Sequence, residues 1–535
     1  MRPVTSTLVR PRPVERTRGS ALPWVVVVAV LAAIGVGYAQ LRWPGVLPFG
    51  SDVDEYQLIG QALANFEAPV VAGVEGTKYP LGYPFILAVL AWLRLPVAWA
   101  AVVLNFAALV AVTGLSAWLA GRAWGHRPAS PGGAMTAGAL VLTSVAVWND
   151  AYTVMPELLT VAAITAMLVV VEVPLTPRRI LILTVVAVAA VLLKTLALAV
   201  IVGGCVLAWL HAASTSRQVV QPVRAMDVRR PHQLGPDGPL TAGASTRGVL
   251  LPALAAVVVA GVGLLAMLRF PEHTTGYFAT VRLADPDDAS QGTLGPLGLV
   301  RRAVGDVPET LADFGRAFAL NDAGTGLAVV VALVALTLGV VAAFRLRPGT
   351  ALGPFTLGAV LAYTAGMSVW PYHSSRFGLP LVPVAAIGIG WVVRSLSWRR
   401  TWSLLAGLVV TGVLVAGSVS VVADRGETAR ATLPEHHEAR ETLEAWAANE
   451  LGPDERLVSF DYREVARALD RPVDPIAYTS DPDALLAQVE GADHLVVMKL
   501  YGKRTAQVRE LLEVHGERFE PELDAGELEI YRIVG

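Results

Sequence analysis

Eleven apolar runs constrain the fold of this 535-residue chain more than any other feature. A helix needs about 20 apolar residues to cross the hydrocarbon core of a bilayer, which is about 30 Å thick. The runs lie at 21–41, 97–120, 134–149, 156–172, 179–195, 196–212, 248–268, 324–344, 351–369, 378–395 and 401–422. Hydrophobic residues make up 54% of the chain and charged residues only 16%. We therefore predict a polytopic α-helical membrane protein with about 11 transmembrane helices.

The arginines predict the orientation of these helices. Residues 80–94 are apolar, but a helix of that length is only about 22 Å long. If this segment does not cross, the arginine-rich connections fall on the same side as the basic tail 1–20, as the positive-inside rule requires. We therefore predict a cytoplasmic N-terminus, an extracytoplasmic C-terminus and a multi-pass location in the cytoplasmic membrane. The segment 80–94 is then a juxtamembrane or re-entrant helix at the outer surface.

The chain divides into a membrane part and a water-exposed part. A cytoplasmic tail (1–20) precedes a transmembrane domain (21–422), which contains an outer loop at 42–96. Residues 213–247 are rich in Pro, Gly, Ser and Arg and are predicted to be a cytoplasmic linker. In 423–535 short apolar strand patterns alternate with helical patterns, which predicts a small extracytoplasmic α/β domain.

The outer loop begins with an unusual acidic stretch. Asp52, Asp54 and Glu55 place three carboxylates within four residues at a membrane edge, where charges are costly and usually functional. On a helix, Asp52 and Tyr56 share a face because they are four residues apart. Plain capping of that helix by Asp52 is an equal alternative, since Asp favours this position.

Further charged candidates occur at the same predicted surface. Glu157 begins a span, where the helix dipole alone already favours an acid. Arg376 lies in Trp370–Phe377 between two spans; it is either a phosphate ligand or an interfacial anchor. Lys194 offers a second cation, with snorkelling toward the membrane surface as the alternative. A lone His373 is a weak metal-ligand candidate.

Several enzyme classes have no support in the sequence. The chain has no HExxH, no CxxC pair, no nucleophile elbow and no GxxxxGK[ST], so zinc protease, redox and nucleotide-hydrolysing functions are not indicated. The net charge of −2 gives no indication of nucleic-acid binding, and one cysteine, Cys205, forms no internal disulfide.

Four short stretches, in this order and on this face, resemble a known family. They are the acidic residue four before Tyr56, the segment Tyr79-Pro-Leu-Gly-Tyr-Pro84, the acidic Glu157 in the next outer loop, and Arg376-Phe-Gly-Leu-Pro-Leu-Val-Pro383. They resemble the C-type (GT-C) membrane glycosyltransferases, especially bacterial relatives of dolichyl-phosphate-mannose protein mannosyltransferases and of lipid A aminoarabinose transferases. The chain has Tyr79-Pro80-Leu81-Gly82 where relatives often show a double proline.

The resemblance implies an inverting transfer of a sugar from a polyprenyl-phosphate-linked donor to a cell-envelope acceptor. The family's acidic pair maps to Asp52 and Glu157, with Asp54 as a fallback. A carboxylate base, Asp52, takes the proton of the attacking hydroxyl, and cations hold the phosphate. The phosphate candidates are Arg376, Lys194 and Lys78, and the substrate-binding candidates are Tyr56, Tyr79, Tyr83 and His373. A divalent metal held by Asp52 and Glu157 stays open, as do the sugar and the acceptor, which is a protein, glycolipid or polysaccharide.

Two other functions compete with this hypothesis. A polytopic transporter or lipid flippase explains many spans, but no charged residue lies convincingly in mid-span and no two-fold hydropathy repeat is found. A non-catalytic envelope scaffold does not need an acidic outer loop. We therefore favour the glycosyltransferase.

Overall fold

A computed structural model provides the structure of most of the chain. It describes residues 21–48, 50–71, 74–75, 79–122, 128–220, 248–267, 281–285, 288–318, 324–346, 348, 350–396, 400–476, 479, 481–499 and 502–534. Within the described residues up to 450 the structure is mostly helical, and the largest β-sheet lies near the C-terminus.

The helices are numbered here in chain order. They are α1 (Leu22–Arg42), α2 (Ser51–Ala64), α3 (Gly82–Trp92), α4 (Val97–Gly121), α5 (Pro131–Thr143), α6 (Val145–Ala151), α7 (Glu157–Val171), α8 (Pro177–Leu193), α9 (Ala197–Val220), α10 (Leu251–Met267), α11 (Pro296–Gly305), α12 (Val307–Phe318), α13 (Thr325–Leu346), α14 (Leu352–Ser368), α15 (Val382–Leu396), α16 (Arg400–Glu450), α17 (Tyr462–Leu469), α18 (Pro482–Val489) and α19 (Gly502–His515). A 3₁₀ helix, Ser375–Leu381, leads into α15.

The membrane part is polytopic. Among the described residues, six helical stretches are long and apolar enough to cross a bilayer, and a seventh is added if the bent pair α5 and α6 forms one span. Each of the eleven predicted runs coincides with helical structure, but several of these helices, such as α7 and α10, are shorter than a span needs. The polytopic helical class is therefore confirmed, and the number of eleven spans stays a prediction.

Two breaks in the helices shape the centre of the molecule. α8 ends at Leu193 and Lys194 is extended, so the predicted runs 179–195 and 196–212 form two separate helices, as predicted. The predicted single run 134–149 is instead bent by 58° between α5 and α6. Ser144 is extended at this bend, and its Oγ donates to the Ala317 carbonyl at 2.6 Å. A side chain thus anchors the bend to α12.

The last predicted span continues far beyond its apolar run. α16 has 51 residues, about 75 Å at 1.5 Å per residue, and passes through the predicted boundary at 423 without a break. Its polar second half keeps a buried face that includes Leu433, Ala439, Leu443 and Trp446. This face gives the helix a packing partner after the apolar run ends.

Nine strands form three sheets in the described residues. They are β1 (Val70–Val71), β2 (Val74–Glu75), β3 (Leu283–Asp285), β4 (Asp288–Thr293), β5 (Leu457–Ser459), β6 (Asp474–Pro475), β7 (His494–Met498), β8 (Phe519–Ala525) and β9 (Leu528–Ile533). The largest sheet has the order β6-β5-β7-β9-β8. β5 pairs in parallel with β6 and β7, and β9 pairs antiparallel with β7 and β8. Strands and helices alternate here as predicted; the independence of a domain at 423–535 stays a prediction.

The helices α2 and α3 are held between the membrane helices and the C-terminal part. Val53, Tyr56, Tyr79, Tyr83 and Leu87 belong to one buried apolar cluster. The same cluster contains Leu443 and Trp446 of α16 and residues of β5, β7 and β9. Burial of this shared apolar surface fixes α2, and with it the acidic stretch, in one position.

Candidate active site

Asp52 lies in the first turn of α2 and contacts two other predicted site residues. Its Oδ1 accepts a hydrogen bond from the Tyr79 hydroxyl at 2.6 Å, and its Oδ2 lies 3.3 Å from Arg376 Nη2. The side chain keeps 27% of its surface exposed. The N-cap residue of α2 is Gly50 and not Asp52, and the backbone N–H of Gly50 donates to Asp54 Oδ2 at 3.1 Å.

The other two acids of α2 face the C-terminal part instead. Asp54 is completely buried and forms an ion pair with Arg467 of α17, whose Nη2 also donates to Gln57 Oε1 at 2.5 Å. Glu55 is buried too, and its Oε2 lies 2.8 Å from Arg463 Nε. Burial raises the pKa of the Asp54 carboxyl, and the Arg467 charge opposes this rise. Asp52 therefore faces Arg376 of the membrane part, while Asp54 and Glu55 face α17 of the C-terminal part.

Glu157 and Lys194 form a second charged pair. Glu157 begins α7, Lys194 lies between α8 and α9, and the two side chains form an ion pair. Glu157 Oε2 is buried and has no hydrogen-bond partner among the described residues. Glu157, Lys194 and Arg376 line one narrow cavity together with Thr160, Val161, Leu196, Ala197, Tyr363, Phe377, Leu379 and Pro380. Arg376 therefore connects Asp52 with this cavity.

Local structure explains the position of Arg376. The Ser374 side chain accepts from the backbone N–H of Arg376 at 3.4 Å, at the start of the 3₁₀ helix. On the next residue, the Phe377 carbonyl accepts from the Tyr363 hydroxyl at 2.8 Å, which joins the 3₁₀ helix to α14. Backbone contacts on both sides of Arg376 thus hold its position while its guanidinium points toward Asp52.

Three tyrosines form a wall beside Asp52. The rings of Tyr56 and Tyr79 stack with their centroids 4.5 Å apart, and Tyr83 meets Tyr56 edge-on at 5.3 Å. Such arrangements suit the charge distribution of aromatic rings. The Tyr83 hydroxyl is buried and has no hydrogen-bond partner in the described part of the chain. The structure therefore brings all three predicted tyrosines together with Asp52.

The predicted residue His373 contacts acids other than Asp52. It lies beside α12, with Nδ1 3.3 Å from Asp313 Oδ2 and Nε2 4.0 Å from Asp306 Oδ2. Lys78 lies outside the described residues. Over the described ranges, no group of three or more His, Cys, Asp and Glu residues is arranged to hold a metal ion. A metal at Asp52 and Glu157 stays an untested prediction, and each of these carboxylates already faces a cation.

Roles for Arg463, Arg467 and Asp150 were not predicted from the sequence. The two arginines are four residues apart, so they share a face of α17, and they meet the adjacent acids Asp54 and Glu55. The spacing of the two arginines can be seen in the sequence, but their acidic partners lie about 400 residues earlier in the chain. Asp150 is buried in α6, and its Oδ2 has no hydrogen-bond partner among the described residues. Its charge interacts with those of Glu157, Arg376 and Lys194, so it lies near the site.

Comparison with known proteins gives a structural match. No protein-family model and no curated protein matches the sequence. The structure is similar to that of ArnT from Cupriavidus metallidurans in the apo state, with a TM-score of 0.52 and 13% identity over 96% of this chain and 98% of that chain. ArnT from the same organism bound to undecaprenyl phosphate matches over the same shares with a TM-score of 0.46 and 13% identity. The predicted resemblance is thereby confirmed at the level of the fold: this chain has the fold of ArnT, an aminoarabinose transferase and a GT-C glycosyltransferase.

Proposed function

We propose that the chain is a glycosyltransferase that moves a sugar from a polyprenyl-phosphate-linked donor to a cell-envelope acceptor, with inversion at the anomeric carbon. The observation that carries this proposal is the contact between Asp52 and Arg376, because it joins a partly exposed carboxylate to a cation that lines the cavity of Glu157 and Lys194. The ArnT-like fold supports the same reaction class.

The two cations are suited to a donor phosphate. Arg376 is paired with Asp52, and Lys194 is paired with Glu157. Phosphate oxygens compete for both cations, and a guanidinium binds two of them at once in a forked geometry. When phosphate takes Arg376, the contact between Arg376 Nη2 and Asp52 Oδ2 is broken. Donor binding thus prepares the base for the next step, and the cations stabilise the charge on the departing phosphate.

Asp52 is the proposed base for the acceptor hydroxyl. The acceptor oxygen forms a bond to the anomeric carbon on the face opposite the phosphate, and the bond from that carbon to the phosphate oxygen breaks with its electron pair. The acceptor proton passes to Asp52 Oδ2, while Tyr79 holds Oδ1. Asp54 is less suited to this role because it is completely buried between Gly50 and Arg467.

Two buried polar atoms of the candidate site are suited to bind hydroxyl groups of the sugar or of the acceptor. Glu157 Oε2 and the Tyr83 hydroxyl have no hydrogen-bond partner among the described residues. Buried polar groups are seldom left unpaired, since each costs about 1–3 kcal/mol. We assign Glu157 to orienting a bound hydroxyl and the wall of Tyr56, Tyr79 and Tyr83 to the face of the sugar.

The site is proposed to open on the outer face of the cytoplasmic membrane. The span α1 separates the basic tail 1–20 from α2, which carries Asp52. A reporter enzyme that is active only outside the cytoplasm is expected to be active when fused at the C-terminus and inactive when inserted in 221–247. Stable fusions with the opposite pattern would reverse the orientation and move the site to the cytoplasm.

A donor titration tests the proposed function. Purified chain in vesicles is given radiolabelled polyprenyl-phosphate sugars and an envelope fraction as acceptor. We expect label to leave the lipid at a saturable rate, and Arg376→Lys to raise the half-saturating donor concentration about tenfold, because Lys replaces the fork by a point charge. Arg345→Lys, at an exposed position near the end of α13, is the matched control and leaves this concentration unchanged. Absence of transfer from every donor would refute the proposal.

A further inference from the structure

We propose a second anion site, formed by Arg42, Arg425 and Arg430. It binds the phosphate of an anionic lipid headgroup at the outer surface of the membrane that the chain spans. It lies where the end of α1 meets α16, and none of its residues lines the cavity of the candidate active site. The site is independent of the proposed sugar transfer.

Arg42 provides the first observation. It is the last residue of α1, and its Nε and Nη1 atoms are buried without a hydrogen-bond partner in the described residues. A guanidinium is always charged and carries five N–H donors. Arg42 is half-buried as a whole, but two of its three guanidinium nitrogens are shielded from water without a partner among the described residues, which is unfavourable for a charged group. A ligand with several acceptor oxygens removes that penalty.

Two further arginines stand beside Arg42. Arg430 Nη1 donates to the carbonyls of Leu41 at 3.3 Å and Trp43 at 2.9 Å, the two neighbours of Arg42 in sequence. Arg425 is adjacent to Gly426, which is so close to Leu41 that an added Cβ would collide with its carbonyl. Both arginines repel the Arg42 charge. Arg425 and Arg430 are exposed, and an anion bound between the three charges offsets their repulsion.

The described part of the chain supplies no acid in direct contact with the three arginines. Within it, none of these arginines forms an ion pair with an acid. Asp150 attracts Arg42 from the interior side, but its Oδ2 atom has no hydrogen-bond partner there. In the proposed site, the phosphate of a bound lipid supplies this counter-charge.

The surroundings identify the source of the phosphate as a lipid. The Trp43 ring lies 5.6 Å from the Trp99 ring and meets the Tyr152 ring edge-on at 5.5 Å, measured between centroids. Trp and Tyr concentrate at the headgroup level of membranes, and this cluster stands at the end of a 21-residue span. Arginines at this depth meet lipid phosphates first, and their planar forks match phosphate oxygens.

Native mass spectrometry of the full-length protein in detergent tests the site. The probes are phosphatidylglycerol, phosphatidylcholine and inorganic phosphate. We expect phosphatidylglycerol to bind more tightly than phosphatidylcholine, and Arg42→Gln and Arg430→Gln each to weaken its binding about tenfold, as loss of a charge-assisted hydrogen bond predicts. Arg345→Gln, an exposed arginine of α13, is the matched control and leaves binding unchanged.

A stability measurement distinguishes the loss of lipid binding from misfolding of a variant. Phosphatidylglycerol is expected to raise the melting temperature of the unaltered chain and of Arg42→Lys, which keeps the charge, but not that of Arg42→Gln. Equal binding of phosphatidylglycerol by all variants would overturn the site. Stabilisation by free phosphate equal to that by the lipid would overturn the lipid assignment. Neither outcome bears on sugar transfer, so this proposal and the proposed function fail separately.

Discussion

Asp52→Asn is expected to lower the rate of sugar transfer by about 10²- to 10⁴-fold, with normal abundance in the membrane. Asparagine has nearly the same size as aspartate. Its amide oxygen can accept the hydrogen bond that the Tyr79 hydroxyl donates to Asp52 Oδ1 at 2.6 Å. It removes the ionised carboxylate that takes the acceptor proton. The measurement is label transfer from the polyprenyl-phosphate donor at matched protein levels.

Tyr79→Phe is the companion variant for this prediction. It removes only the hydroxyl that donates to Asp52 Oδ1, so the base remains but is less firmly oriented. We expect a smaller loss, about tenfold, consistent with one hydrogen bond. If Asp52→Asn keeps most of its activity while Asp54→Asn loses it at normal stability, the base is Asp54 and the assignment of Asp52 is wrong.

Arg467→Ala is expected to destabilise the fold by about 3–5 kcal/mol, because it leaves the carboxylate of Asp54 buried without its partner. The measurement is the unfolding midpoint of the purified chain in denaturant. Arg456→Ala is the matched control: its ion pair with Asp474, at 2.6 Å, is exposed and contributes only about 0–1 kcal/mol.

A double variant separates the lost pair from other damage. Asp54→Asn combined with Arg467→Gln replaces both charges by neutral groups of similar size, so no buried charge is left unpaired. We expect this variant to be clearly more stable than Arg467→Ala. Equal midpoints for Arg467→Ala and Arg456→Ala would contradict the prediction and mean that water reaches Asp54.

These ion pairs also concern catalysis. Asp52 lies in the first turn of α2 together with Asp54, and Glu55 follows directly; ion pairs with α17 hold both Asp54 and Glu55. The C-terminal part thus fixes the backbone that carries the proposed base, while Arg376 fixes the carboxylate itself from the membrane part. One short helix therefore couples the two parts of the chain.

The local candidates of the site were readable from the sequence, because unusual residue types stood out against a uniform apolar background. Three acids at a membrane edge marked the outer loop. A tyrosine-rich segment marked Tyr79, and the position between two spans marked Arg376. The structure brings these residues within contact of one another. Their catalytic roles remain predictions.

The amino-acid sequence by itself determined the polytopic helical class and the alternation of strands and helices near the C-terminus, because hydrophobic length and periodicity are local properties of the chain. Only the tertiary structure decided that α16 continues past 422, that α5 and α6 bend apart, and that Asp54 pairs with Arg467 while Asp52 pairs with Arg376. The choice between neighbouring acids depends on packing between segments hundreds of residues apart. Periodicity within one segment carries no information about the partner that a helix face will meet.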